Sequence, residues 1–267
     1  MPTIQVNQHH LYYETYGQGT PLIFIAGLGT SCLMWWKQIE PFSKKYQVVI
    51  LDNRGIGDSS RVSQAFTVAD MAADVAALIR AIGLPPSHVL GVSMGGFVAL
   101  TFAGLYPQLI KKLIAVSTSA GGPGHVQTGN EMLEIIMSSS QGDVEAYCRR
   151  VYPALAGPGH MQAHPEDLDH IVANALKKPL PPETYLYQLN AIMKYTSDLE
   201  TGADLRSITA PTLVLHGDAD ALVPYPNGRY LADHIKGAKL HTYPGCGHLL
   251  PIEAADRFNK DVMAFLE

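Results

Sequence analysis

The sequence predicts an α/β fold, a mostly parallel sheet covered by helices on both faces and interrupted by one helical insertion. Three observations predict it. Short runs that are apolar throughout recur along the chain and stop at a glycine or a polar turn. Segments with helical spacing and recognisable ends lie between them. The stretch from Ala120 to Ser207 contains helical segments but no such run. Strands apolar on both faces belong inside a parallel sheet, where helices cover both sides.

Each element carries its own signal. Leu11 to Tyr16 reads as a strand ending at the turn Gly17-Gln18-Gly19. Pro21 to Ala26 and Tyr46 to Leu51 are the first two continuously apolar runs. Thr67-Val68-Ala69-Asp70 is a capping box, followed by Met71, Val75, Leu78 and Ile79 at helical spacing and a stop at Gly83. His88 to Val92 is a strand, Met94 to Leu105 a helix, and Leu113 to Val116 a strand. After the insertion come strands at Pro211 to Leu215 and Leu240 to Tyr243, then one helix over Ile252 to Leu266. This alternation specifies a parallel sheet with crossover helices.

The core is therefore expected to comprise residues 1–119 and 208–267, and the insertion, a helical cap or lid, residues 120–207. Helices are predicted in the insertion around Glu131–Ser138, Val144–Tyr152, Glu166–Lys177 and Glu183–Tyr195. Its Met132, Met137, Met161 and Met193, with Tyr147, Tyr152, Tyr185, Tyr187 and Tyr195, are expected mainly to pack it on the core, some of them lining a pocket.

Composition narrows the function. With 47% apolar and 16% charged residues, the chain has the makings of a packed core rather than a disordered polymer. The net charge of −5 is interspersed, so neither nucleic acid nor an anionic membrane has an electrostatic footprint. No apolar run approaches the roughly 20 residues of a membrane span. The first residues do not resemble a secretion signal, and Cys32, Cys148 and Cys246 are too few and scattered for a disulfide framework, so a cytoplasmic location is expected. No histidine pairs with a second metal-like cluster, and neither a metal nor a cofactor is expected.

The chemistry centres on Gly91-Val92-Ser93-Met94-Gly95, which follows a buried strand and opens a helix. A serine held in such a sharp turn stands clear of the sheet, and bulk two residues away on either side would collide, hence the two glycines. A serine hydroxyl needs a base within hydrogen-bond reach and an acid to orient that base. The strand Pro211–Leu215 runs into His216-Gly217-Asp218-Ala219-Asp220, and the next strand into Gly245-Cys246-Gly247-His248. Both loops lie past the carboxyl ends of strands, where open α/β sheets place their sites. Spacing leaves Asp218 and Asp220 both open as the acid.

Together these segments resemble the α/β-hydrolase superfamily, whose loop after strand seven commonly reads H-G-x-x-D-x-x-V-P and whose histidine sits in a G-x-G-H turn. The resemblance covers most of the chain outside the insertion. It implies an eight-stranded sheet, a cap after strand six, and a catalytic set of Ser93, Asp220 and His248. Ser117 to Gly122, after strand six, holds no alternative carboxylate. Asp52-Asn53-Arg54-Gly55-Ile56-Gly57-Asp58-Ser59 resembles a loop whose role in the family is structural. Ala26-Gly27-Leu28-Gly29 stands where an H-G-x-G loop is usual, which implies an oxyanion hole from the backbone N–H groups of Leu28 and Met94. Ala26 replaces the histidine that normally braces that loop.

The reaction implied is hydrolysis of a small-molecule carboxylic ester through an acyl-enzyme. Gly27 to Thr30 with Met34-Trp35 is similar to bacterial enol-lactonases, which would need cations such as Arg149, Arg150 or Lys194 around an anionic lactone. Trp35 and Leu249 are expected to touch substrate. Carbon–carbon bond hydrolases usually carry residues other than Val92 and Leu249 at those positions and rank lower. Cofactor-free perhydrolases share the triad, and a non-catalytic small-molecule receptor is the contrasting class.

Overall fold

A computed structural model describes residues 3–138, 142–197 and 202–267; Met1 and Pro2 and two short parts of the expected insertion lie outside the described residues. The strands are β1 (Thr3–Val6), β2 (His9–Tyr16), β3 (Thr20–Ile25), β4 (Tyr46–Leu51), β5 (Ser87–Val92), β6 (Ile110–Val116), β7 (Thr212–Gly217) and β8 (Lys239–Tyr243). Among the described residues they form one sheet in the order β1-β2-β4-β3-β5-β6-β7-β8. β1 and β2 pair antiparallel, as do β2 and β4, and the other neighbours run parallel.

The helices are α1 (Ile39–Ser43), α2 (Val68–Ala81), α3 (Met94–Leu105), α4 (Asn130–Met137), α5 (Val144–Leu155), α6 (His160–Ala163), α7 (Pro165–Lys177), α8 (Pro182–Ser197), α9 (Pro226–His234), α10 (Leu250–Glu253) and α11 (Ala255–Leu266). Helices α4 to α8 lie between β6 and β7 in the chain, within the expected insertion.

The parallel strands divide their side chains between two cores. Ile23 and Ile25 of β3 join the cluster under α2 and α3, whereas Leu22 and Phe24 join the opposite one with Trp35, Phe42 and Phe258. Leu113 and Ala115 against Ile114 and Val116 divide β6 in the same way. Period-two alternation with both faces apolar is what a doubly covered sheet requires. The α2 capping box forms as its sequence predicts, with the Asp70 N–H donating to Thr67 Oγ1 and the Thr67 N–H donating to the Asp70 carboxylate. Burial of Met71, Val75, Leu78 and Ile79 fixes that helix on the sheet, at about 1.5–3 kcal/mol for each large side chain.

One expectation needs correction, and two elements went unread. β1 is an additional edge strand, too short for alternation to declare itself. The single C-terminal helix is two, because Ala254 leaves helical geometry at φ −127°, ψ 39°. α9, after the Asp220 loop, carries too few apolar residues to register as periodic, yet Leu231 and Asn227 are buried.

From β3 the chain crosses to β4 on one side, and β5 lies on the other. The order therefore reverses between β3 and β5. The crevice past the carboxyl ends of such a pair is where open α/β sheets bind ligands.

Candidate active site

Ser93 occupies that crevice. It lies between β5 and α3 with φ 56° and ψ −122°, an uncommon conformation for a residue with a side chain. The turn is held open by its glycines: a Cβ on Gly91 would sit 2.0 Å from the Gly95 carbonyl oxygen, and one on Gly95 2.2 Å from that of Ile25. The Ser93 N–H donates to Val116 O (2.9 Å), and Thr118 Oγ1 donates to Ser93 O (2.9 Å), so β6 and its following loop fix the turn from beneath.

The loop after β7 settles which carboxylate faces the histidine. Asp220 is buried, and His248 Nδ1 donates to its Oδ2 at 2.8 Å. Its Oδ1 accepts from the backbone N–H groups of Leu222 (3.0 Å) and Val223 (2.9 Å). Burial opposes the charge of Asp220, but the charges and hydrogen bonds of His248 and His216 outweigh it and bring the carboxyl down to about 2. Asp218 is exposed and accepts from the Gly245 N–H at 2.7 Å, stapling the two loops together. His216, fully buried, donates from Nε2 to Val223 O (2.8 Å) and closes the far side of Asp220.

The third loop follows β3. Gly27 passes so close to Ser93 that a Cβ there would lie 3.3 Å from the Ser93 Cβ. Where the sequence lacks a bracing histidine at Ala26, Asn53 Nδ2 donates to Ala26 O at 3.1 Å. Asp52 accepts from the Cys32 N–H (2.7 Å) and the Asp58 N–H (3.0 Å), which ties the expected structural loop to the start of the next segment. Among the described residues, no hydrogen bond uses the backbone N–H of Leu28 or of Met94.

Ser93 and His248 both line a cavity of about 120 Å³. Leu28, Met34 and Val92 come from the core, and Ile136, Tyr147, Val151, Tyr152, Leu155, Leu180 and Tyr185 from the insertion; Leu222, Leu249, Pro251 and Ile252 close it. No Asp, Glu, Lys or Arg lines it among the described residues. Tyr185 Oη (3.0 Å) and Tyr147 Oη (3.4 Å) both donate to Ile136 O and turn their rings to the cavity as an apolar wall.

Leu249 stands at this cavity, but Trp35 does not. Trp35 is fully buried with its ring 4.8 Å from that of Phe24, because Cys32 and Trp35, three residues apart in one 3-10 turn, share the face that meets the core around Phe24 and Phe42. Met34, its neighbour, faces the cavity instead. The expected cations are elsewhere too. Arg149 pairs with Glu145 and Asp169 on the outside of the insertion, Arg150 donates to Ser138 Oγ, and neither they nor Lys194 lines the cavity. Of the methionines and tyrosines singled out in the insertion, Tyr147, Tyr152 and Tyr185 line it, Met132 and Met161 are buried in small clusters, Tyr195 stacks on Phe97, and Met137 and Met193 are exposed.

Sequence reasoning missed Lys178. Its Nζ lies 2.8 Å from both Asp52 and Asp58, and joins the insertion to the loop after β4. It also missed Gln188, whose Oε1 accepts from the Gly29 N–H at 2.9 Å. A signal for the second was present: Thr184, Gln188, Ala191 and Tyr195 are the buried stripe of α8 at helical spacing, and two of the four are polar. No group of three or more His, Cys, Asp or Glu is arranged to hold a metal among the described residues. Nor is any helix among them long and apolar enough to cross a membrane.

The fold has known counterparts. A family model described as "alpha/beta hydrolase fold" matches residues 20–255. The chain belongs to the α/β-hydrolase fold family. Membership assigns it to the hydrolases. Two relatives carry the name "Putative carbamate hydrolase RutD": one from Variovorax paradoxus, 31% identical with 96% of each chain covered, and one from Azorhizobium caulinodans, 28% identical with 99% of this chain and 98% of the relative covered. Among solved α/β-hydrolase structures, a thermophilic esterase from Thermogutta terrifontis is 25% identical with a TM-score of 0.83, covering 100% of this chain and 98% of that one. The enol-lactonase from Burkholderia xenovorans LB400, at 24% identity, TM-score 0.83 and 99% of both chains, shares the fold.

Proposed function

We propose that this α/β-hydrolase is a serine hydrolase acting on a small, neutral, apolar carboxylic ester. The observation that carries the reading is the Asp220–His248 pair set with Ser93 at a cavity that no Asp, Glu, Lys or Arg lines among the described residues. Ser93 attacks the ester carbonyl while His248 takes its proton through Nε2, since Nδ1 faces Asp220. The tetrahedral oxygen receives the N–H groups of Leu28 and Met94, the second at the start of α3, where the helix favours negative charge. His248 then protonates the leaving alcohol, and water reverses the sequence to free the acid.

Substrate size and charge are set by the cavity. A volume of about 120 Å³ is small beside the roughly 300–1,000 Å³ of sites for drug-sized ligands. An anionic substrate would be desolvated there without a counter-ion, which is costly. That argues against the anionic lactone reading. The relatives' name favours a second reading within the same chemistry, a neutral carbamate ester, whose carbonyl is attacked in the same manner. The insertion, in this proposal, acts as a cap whose α4, α5 and α8 complete the acyl site.

The test is turnover of p-nitrophenyl acetate, butyrate and octanoate, a matched N-alkyl carbamate and an anionic succinate ester, by the protein and by Ser93→Ala. The expected result is preference for short neutral substrates and a loss of more than about a thousandfold in Ser93→Ala. Equal turnover by the two proteins would overturn the serine mechanism. Preference for the succinate ester would overturn the neutral-substrate assignment.

A further inference from the structure

We propose that Gln188 is a positioning residue for the oxyanion hole, so that the helical insertion sets the geometry of the catalytic loop after β3. The inference rests on the serine hydrolase reading above. Three observations carry it.

First, Gln188 is fully buried and reaches out of α8 to accept the Gly29 N–H at 2.9 Å. An N–H requires an acceptor, so this contact fixes which end of the amide faces the loop. Gly29 adopts φ +67°, and a Cβ there would meet Leu180 Cδ2 at 2.7 Å, so the turn is seated directly beneath the insertion. Holding the Gly29 N–H on Gln188 fixes the peptide that follows Leu28, and with it the direction of the adjacent Leu28 N–H.

Second, side chains hold the loop at few points: within the turn, Thr30 Oγ1 donates to Gly27 O at 3.0 Å. Ala26 offers no side-chain hydrogen bond, and Asn53 holds only the Ala26 carbonyl at the loop's beginning. Gln188 holds the other end. Third, the amide is used on one side only: among the described residues, buried Gln188 Nε2 has no hydrogen-bond partner. An orphaned buried donor is unfavourable in a residue chosen for packing, and Leu or Met would fill the same space without it. Retention of the amide is accounted for by what its oxygen does for Gly29. Thr184, one turn earlier on the same stripe, donates to Gly55 O at 3.2 Å and keeps α8 in register over the loops.

The experiment compares Gln188→Met, Gln188→Asn and Gln188→Glu with the native protein. Met keeps the volume and loses the acceptor; Asn keeps the amide but falls one methylene short. Glu restores an acceptor, because a buried carboxyl held neutral by desolvation still offers its carbonyl oxygen. The readouts are kcat and KM on p-nitrophenyl butyrate, the rate of Ser93 labelling by a fluorophosphonate, and thermal unfolding. Removing an oxyanion donor outright costs on the order of 10²–10³ in kcat, and misdirecting one costs less. The expected result is a kcat reduced about 10- to 100-fold in Met and Asn with KM within about twofold, labelling slowed in parallel, and recovery to within about threefold in Glu. Should Met not fold, Asn and Glu give the same contrast. Unchanged kcat in the folded Met or Asn variant overturns the inference, as does a kcat that falls equally in Glu. If the native protein is not labelled and Ser93→Ala keeps its activity, the serine reading itself has failed.

Discussion

The difference between Asp218 and Asp220 is two positions in sequence and an entire environment in space. Both are carboxylates in one loop, but Asp220 is buried against His248 and His216, whereas Asp218 is exposed and bonded to Gly245. Asp220→Asn is expected to keep the fold and lower kcat by about 10⁴, because the amide no longer selects the histidine tautomer that leaves Nε2 free to accept a proton. Asp218→Asn is expected to stay within about threefold, since the Gly245 N–H can still donate to an amide oxygen. Steady-state kinetics on p-nitrophenyl butyrate measure both, and a larger loss in Asp218→Asn would reverse the assignment. The Asp and His loops were legible in sequence because their motifs are local. Gln188 and Lys178 were not, because their partners lie 159 and 126 residues away.

At the scale of elements, the strands and helices that carry the site were read correctly wherever periodicity was strong. β3, β5, β6 and α3 stand out as continuous apolar runs because both of their faces are covered. β1, α9 and the break between α10 and α11 were not legible, since short or mostly polar elements take their form from tertiary partners. One residue of β5 bears on stability. His88 is buried, its Nδ1 has no hydrogen-bond partner among the described residues, and its ring meets that of Tyr46 edge-on at 6.1 Å. Burial, then the charges of Lys111 and Lys112, bring it down to about 4. The unfolded chain, with an ordinary histidine near 6.5, takes up the proton first on acidification. Stability is therefore expected to hold above pH ~6.5 and to fall by roughly 2–3 kcal/mol as pH drops toward ~4. Urea unfolding across that window measures it, and His88→Leu is expected to flatten the slope. An unchanged slope in that variant would assign the dependence to other groups.

Across the whole molecule, the insertion is fastened to the core at the very loops that surround Ser93. Lys178 meets Asp52 and Asp58, Gln188 meets Gly29, Leu155 O accepts the His248 N–H at 2.7 Å, and Glu253 accepts from both Gly157 (2.7 Å) and Gly247 (2.9 Å). The Lys178 ammonium is nearly buried; burial opposes its charge, but the hydrogen bonds to Asp52 and Asp58 outweigh that and raise its pKa. Lys178→Met leaves the fully buried Asp52 carboxylate without its cation, and is expected to cost about 3 kcal/mol. Chemical denaturation gives that number directly. A loss below about 1 kcal/mol would mean that the N–H groups of Cys32 and Asp58 suffice for Asp52.

The sequence by itself determined the sheet, the elbow at Ser93 and the candidates for its partners, because strand burial, capping and turn geometry are written in neighbouring residues. Tertiary structure decided which of Asp218 and Asp220 faces His248, the exclusion of Trp35 from the cavity, and, among the described residues, a cavity wall without Asp, Glu, Lys or Arg. It also decided which insertion residues brace the loops. The physical reason is common to all four. Each depends on which side chains meet across the crevice between core and insertion, and those meetings join residues far apart in the chain.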